Sequence, residues 1–114
     1  MVEAYIPQKG HIIWLDFNPQ KGSEQAGKRP ALVLSPSVYN AKTGLCLCVP
    51  ITSKKKGYPF EKEIKTKEIS GVALCDQIKS FDYKTRNSAY ASRVENSDFN
   101  DIIDFINSVI ITKI

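Results

Sequence analysis

Only one stretch of this chain carries its apolar residues at helical spacing, and it comes last. Phe99, Ile102, Ile103, Ile106, Val109 and Ile110 recur every three or four positions behind Ser97 and neighbouring acids, which predicts a single amphipathic helix with a polar start. Everything before it consists of short β-branched or aromatic runs cut by Pro, Gly and polar turns. His11 to Phe17 stops at Asn18-Pro19, and Ala31 to Ser35 lies between Pro30 and Pro36. Leu45 to Thr52 is a third run, in which Pro50 marks a bulge or an edge. Phe60 to Lys65 alternates as a half-exposed strand does, and Gly71 to Cys75, Gln77 to Phe81 and Ser88 to Ala91 complete the series. Pro36 to Gly44 reads as a turn or a helical turn. Evenly spaced short strands of this kind predict a mainly β (α+β) fold, a small barrel of short antiparallel strands with a C-terminal amphipathic helix covering it.

With 114 residues, the expected organisation is a single domain over 1–114, large enough to hold a core without disulfides or metal. Three cysteines cannot all pair with one another, and Cys46 and Cys48 share one face of their strand. They read as reduced core residues, since a Cys-x-Cys with distant Cys75 and His11 lacks zinc spacing. The N-terminal stretch carries Glu3 and Lys9 and no apolar core, so no signal peptide is expected, and no run approaches the roughly 18 apolar residues of a membrane span. A cytoplasmic location follows as an expectation.

Charge is distributed unevenly. Residues 94 to 114 hold one lysine and four acids, Glu95, Asp98, Asp101 and Asp104, a net −3, whereas the other 93 residues hold 15 bases and 8 acids, a net +7. A polyanion is the natural partner of such a basic surface.

Two polar loops could hold chemistry. Gln20 to Pro30 places Glu24, Lys28 and Arg29 close together, with Gly22 and Gly27 allowing the backbone to turn. A loop this long between buried strands is usually functional. Arg29 stands where the loop enters a strand, a position from which a guanidinium can clamp phosphate; a surface pairing with Glu24 would produce the same pattern. The second loop follows Thr52 with Lys54, Lys55, Lys56, Gly57 and Tyr58. Lysines there would contact phosphates and the Tyr58 ring would stack an unpaired base, although a lysine triplet also suits a plain solvated turn. Phe17 is a second stacking candidate or a core aromatic. His11 is the only histidine and reads as an exposed or capping residue, not a general base. With no histidine pair, no carboxylate cluster at metal spacing and no serine–histidine–acid set, phosphodiester chemistry here would rest on Arg, Thr, carboxylate and backbone groups.

These residues, in this order, resemble the MazF/PemK family of toxin endoribonucleases. The resemblance rests on Gly10-His-Ile-Ile-Trp-Leu-Asp-Phe, Pro19-Gln-Lys-Gly-Ser-Glu-Gln-Ala-Gly-Lys-Arg-Pro, Val33-Leu-Ser-Pro, Tyr39-Asn, Val49-Pro-Ile-Thr, Lys56-Gly-Tyr-Pro-Phe and Ala73-Leu-Cys-Asp-Gln-Ile-Lys-Ser. It covers the chain to about Tyr83, and the Gly-Ser-Glu-Gln-x-Gly-x-Arg-Pro segment is its most specific part. It implies an SH3-like, MazF/CcdB-like barrel that forms a homodimer and cuts single-stranded RNA at short, ACA-like sites without metal or cofactor. The implied reaction is attack of the ribose 2′-hydroxyl on the adjacent phosphorus, leaving a 2′,3′-cyclic phosphate and a 5′-hydroxyl.

By the same resemblance the site falls on Arg29 and Thr52, with Glu24 as a third catalytic candidate that positions Arg29 or meets RNA. Phe17, Lys28, Lys54, Lys55, Lys56, Tyr58, Gln77 and Lys79 would line the RNA, the lysines setting affinity and Gln77 contributing to sequence choice. The implied partner is a cognate, MazE-like antitoxin whose acidic disordered tail fills the groove, any DNA contact being made only through that antitoxin. Two positions depart from the family pattern: Leu74 replaces an Arg that some members use with the Asp at position 76, and His11 stands where many carry an acid. The same barrel also resembles toxins that bind DNA gyrase, and a barrel that merely binds single-stranded nucleic acid is a third reading.

Overall fold

Among the described residues the β-type runs form seven strands, and the strongest apolar ones lie at the centre. A computed structural model describes residues 4–16 and 27–111. Its elements are β1 (His11–Asp16), β2 (Lys28–Val33), α1 (Ser37–Thr43), β3 (Leu45–Thr52), β4 (Glu61–Lys65), β5 (Ser70–Leu74), β6 (Lys79–Asp82), β7 (Ala89–Arg93) and α2 (Asn96–Ile111). The strands pair in the order β4-β5-β3-β2-β1-β7, with β6 beside β3, and all the ladders are antiparallel. This curled sheet, closed by α2, is the half-barrel form of the small barrel expected.

Alternation along the inner strands is blurred because both faces of the sheet are covered. Ile12, Leu32, Val49, Ile51, Ile64 and Ala73 pack with Phe99, Ile102 and Ile106 of α2. Ile13, Leu15, Ala31, Val33, Cys46, Cys48, Phe81 and Tyr83 form a second cluster behind them. Successive residues therefore go to opposite cores. All three cysteines are buried free thiols, and Cys46 and Cys48 share the second cluster with their sulfurs 3.3 Å apart.

Three local expectations need revising. The residues from Pro36 to Gly44 make a true helix, α1, ended by Gly44 at φ +76°, whose N–H bonds to the Asn40 carbonyl at 2.9 Å. Asn40 is fully buried; its amide nitrogen donates to the Pro7 and Ser35 carbonyls, and its oxygen accepts the Ser35 hydroxyl. Pro50 is not on an edge, because β3 is flanked by β2 on one side and by β6, then β5, on the other. The β6 ladder ends at Cys48↔Lys79 and the β5 ladder begins at Ile51↔Ala73, and Pro50, with no N–H to give a ladder, falls between them.

His11 is the third revision, since it is buried and not exposed. The Tyr5 hydroxyl lies 2.7 Å from its Nδ1, and the Tyr90 ring meets it edge-on at 4.9 Å. Burial lowers the His11 pKa from its ordinary value, and the charge of Arg93 lowers it further. The Tyr5 phenol is shifted upward by burial, so it stays protonated beside the imidazole.

Candidate nucleic-acid groove

The gap where β3 passes from β6 to β5 opens into a groove of about 340 Å³. Pro50 and Ile51 line it together with Arg29, Thr52, Lys54, Lys56, Tyr58, Phe60, Glu61, Leu74, Gln77 and Lys79. Seven of the residues singled out in the sequence thus meet at one place: Arg29, Thr52, Lys54, Lys56, Tyr58, Gln77 and Lys79.

Arg29 comes from β2, where its backbone is opposite Leu15 of β1. The strand starts earlier than the Ala31 expected, so the side chain projects from paired backbone instead of from the loop. Its guanidinium has no hydrogen-bond or ion-pair partner among the described residues. Thr52 ends β3 opposite Val72. Its Oγ1 accepts the Lys54 N–H at 3.1 Å, a local turn that leaves the hydroxyl proton available to donate elsewhere. Gly71 of β5 presses against this residue, and a Cβ there would lie 2.5 Å from the Thr52 carbonyl oxygen.

The lysine loop is ordered by bonds to its backbone. Glu61 accepts the Lys56 N–H at 3.1 Å and the Gly57 N–H at 2.9 Å. Gly57 takes φ +84°, a conformation that favours glycine. The Tyr58 and Phe60 rings stack at 5.0 Å with planes 15° apart. Tyr58 is half exposed, so one ring face is available to a base.

Other expected groups are placed elsewhere. Lys55 faces away and pairs with Glu63 at 3.7 Å, both well exposed. The Lys28 ammonium donates to the Asn87 carbonyl at 2.9 Å. Asp76 is exposed and is not among the groove's lining residues, whereas Leu74 is. Glu24 and Phe17 lie outside the described residues. Glu61 and Phe60 do not stand out in the sequence as site residues: Glu61 bonds to backbone amides, which leave no pattern in side-chain types. Among the described residues no group of three or more His, Cys, Asp or Glu is placed to hold a metal ion, and no helix is long and apolar enough to cross a membrane.

A curled antiparallel sheet closed by one helix, with a cationic, aromatic-edged groove on its central strand, defines a small β-barrel protein with a basic cleft. Comparison with known proteins narrows that class. The family model for the PemK-like, MazF-like toxin of type II toxin–antitoxin systems matches residues 8–110, and the chain belongs to this family. It is 58% identical over 88 residues to the endoribonuclease toxin MazF of Escherichia coli (strain K12), covering 77% of this chain and 79% of that protein. Endoribonuclease EndoA of Bacillus subtilis (strain 168) is 32% identical over 83 residues, 68% of this chain and 72% of that one. Among solved structures, a MazE–MazF crystal structure from Deinococcus radiodurans (Form-II) superposes with a TM-score of 0.89 at 40% identity, covering 96% of this chain and all of its counterpart.

Proposed function

We propose that this protein is the toxin of a type II toxin–antitoxin system, an endoribonuclease that cuts single-stranded RNA in the groove between β5 and β6. The observation that carries this reading is the meeting of Arg29, Thr52, Lys54, Lys56, Tyr58 and Lys79 around one groove, in a chain whose relatives are named endoribonucleases.

The chemistry follows from the donors present. As the 2′-oxygen attacks phosphorus, the P–O2′ bond forms, the P–O5′ bond breaks, one proton leaves O2′ and one reaches O5′. Negative charge gathers on the non-bridging oxygens in between. Arg29 offers a planar fork of N–H donors to those oxygens, and Thr52, already accepting from Lys54, donates its own proton to one of them. Lys54, Lys56 and Lys79 neutralise flanking phosphates, and Tyr58, backed by Phe60, stacks an unpaired base. Glu24 and Phe17 belong to the same proposal through the family motif. The reaction needs no metal in this reading.

A cognate antitoxin would hold the toxin inactive, and an acidic tail laid in the groove would block RNA by occupying the same cations; structural relatives include MazE–MazF complexes. The working form is a homodimer, and DNA is met only through the antitoxin.

The test is incubation of the purified protein with a long single-stranded RNA in EDTA, with Arg29→Ala beside it, and mapping of the cut ends. Discrete cuts at a recurring short motif, bearing cyclic phosphates and absent from the variant, are expected. Intact RNA from folded protein would redirect the search to a binding role, with gyrase the first target.

A further inference from the structure

Among the described residues the groove holds one acid beside its cations, Glu61. A carboxylate facing a polyanion weakens binding unless it does something else there. Its bonds identify what. Oε1 accepts both the Lys56 N–H at 3.1 Å and the Gly57 N–H at 2.9 Å, while Oε2 shares the Lys56 N–H at 3.1 Å. The Glu61 N–H in turn donates to the Tyr58 carbonyl at 3.1 Å. Glu61 is the first residue of β4, paired with Leu74 of β5, so these bonds tie the lysine loop to the sheet. At the other end of the loop, the Lys54 N–H holds the Thr52 hydroxyl oxygen.

We infer that Glu61 is a positioning residue, fixing the Lys54–Tyr58 loop so that Lys54, Lys56 and the Tyr58 ring face the groove and the Lys54 amide stays on Thr52. The inference rests on the RNA-cleaving reading of the groove and extends it to the residue that shapes the site. Charge-assisted bonds to backbone amides suit this role, because they hold the chain's path without engaging the Lys54 and Lys56 ammonium groups. Glutamine can keep the Oε1 acceptor that takes both amides; alanine cannot.

The experiment compares the parent with Glu61→Ala and Glu61→Gln in two assays, after circular dichroism melting has established that each is folded. Limited trypsin digestion reads the loop directly, since Lys54, Lys55 and Lys56 are its cleavage sites. Binding of a 2′-O-methyl oligoribonucleotide, which cannot be cleaved at its 2′-hydroxyls, reads the groove. Glu61→Ala is expected to be nicked in the loop about tenfold faster and to bind the oligonucleotide about tenfold more weakly, with Glu61→Gln close to the parent in both. Nicking of Glu61→Ala at the parent rate, or unchanged affinity despite faster nicking, would overturn the inference. So would a Gln variant that matches Ala in either assay, since Gln keeps the Oε1 acceptor on which the positioning role depends. If the parent fails to cut RNA, the cleavage reading fails by itself, while nicking and binding still decide the role of Glu61.

Discussion

The side-chain ammonium of Lys28 donates to the backbone carbonyl of Asn87 at 2.9 Å, tying the first residue of β2 to the turn before β7. The same turn holds the end of β1. The Asn87 amide donates to the Asp16 carboxylate at 2.9 Å, and Arg86 donates to the Asp16 carbonyl at 2.8 Å. Asp16 and Lys28 are themselves partners across the β1–β2 ladder. One turn therefore fastens both strand ends beside Arg29, and Lys28 is committed to that fastening. Lys28→Met should leave the salt dependence of RNA binding nearly unchanged. Lys56→Met, by contrast, should lower the slope of log affinity against log salt by about 0.7, the decrement for one single-strand phosphate no longer neutralised by the protein. Affinities at four or five salt concentrations decide between them.

Thr52→Ala should reduce cleavage by roughly a hundredfold, the scale for removing one donor to a developing oxyanion, while binding of uncleavable RNA changes by less than about threefold. Thr52→Ser, which keeps the oxygen that accepts the Lys54 N–H, should retain most activity. Single-turnover rates with equilibrium binding make the comparison; equal losses of rate and affinity in Thr52→Ala would count against a catalytic role.

Gly71→Ala tests the close approach of β5 to β3. The added methyl would meet the Thr52 carbonyl oxygen at 2.5 Å, and that oxygen belongs to the backbone and has no rotamer to swing away. A loss of about 1–3 kcal/mol in urea denaturation is expected. Cleavage should fall even at temperatures where the variant is fully folded, because relief comes by displacing Thr52.

Histidine 11 gives a pH dependence of stability. Its pKa in the folded chain is lowered below the ordinary 6.5, first by burial and then by Arg93. The unfolded chain therefore takes up a proton at this position before the folded one does. Stability from the neutral imidazole is complete above about pH 7 and declines as pH falls through 6.5 towards the folded pKa, below which the loss levels off. His11→Phe should flatten that part of the curve of unfolding free energy against pH. An unchanged slope would assign it to the carboxylates.

Much of the site is legible in the sequence because its groups come in contiguous runs. Arg29 next to its loop, and Thr52 followed by Lys54, Lys56 and Tyr58, are readable as strand ends carrying donors, and the strands that bring them together are visible in their apolar periods. The burial of His11 is not legible, because its neighbours, Tyr5 and Tyr90, arrive from an N-terminal segment and from β7, and no local pattern brings them to it. Glu61 escapes for a different reason: it recognises backbone amides, which every residue but proline carries. Pro50 is conspicuous in the sequence, but its place in the sheet is not. A proline in a strand indicates a missing donor, and whether that falls on an edge or inside a sheet depends on pairing partners drawn from distant parts of the chain.

The parting of β6 from β5 along β3 has a consequence for inheritance. One bank of the resulting channel carries Gln77 and Lys79, the other Glu61 and the lysine loop, and the bed between them is the backbone of a central, largely buried strand. Both banks stand on loops and strand ends, so substitutions there leave the core beneath undisturbed. A lineage can thus edit the shores while the riverbed stays still.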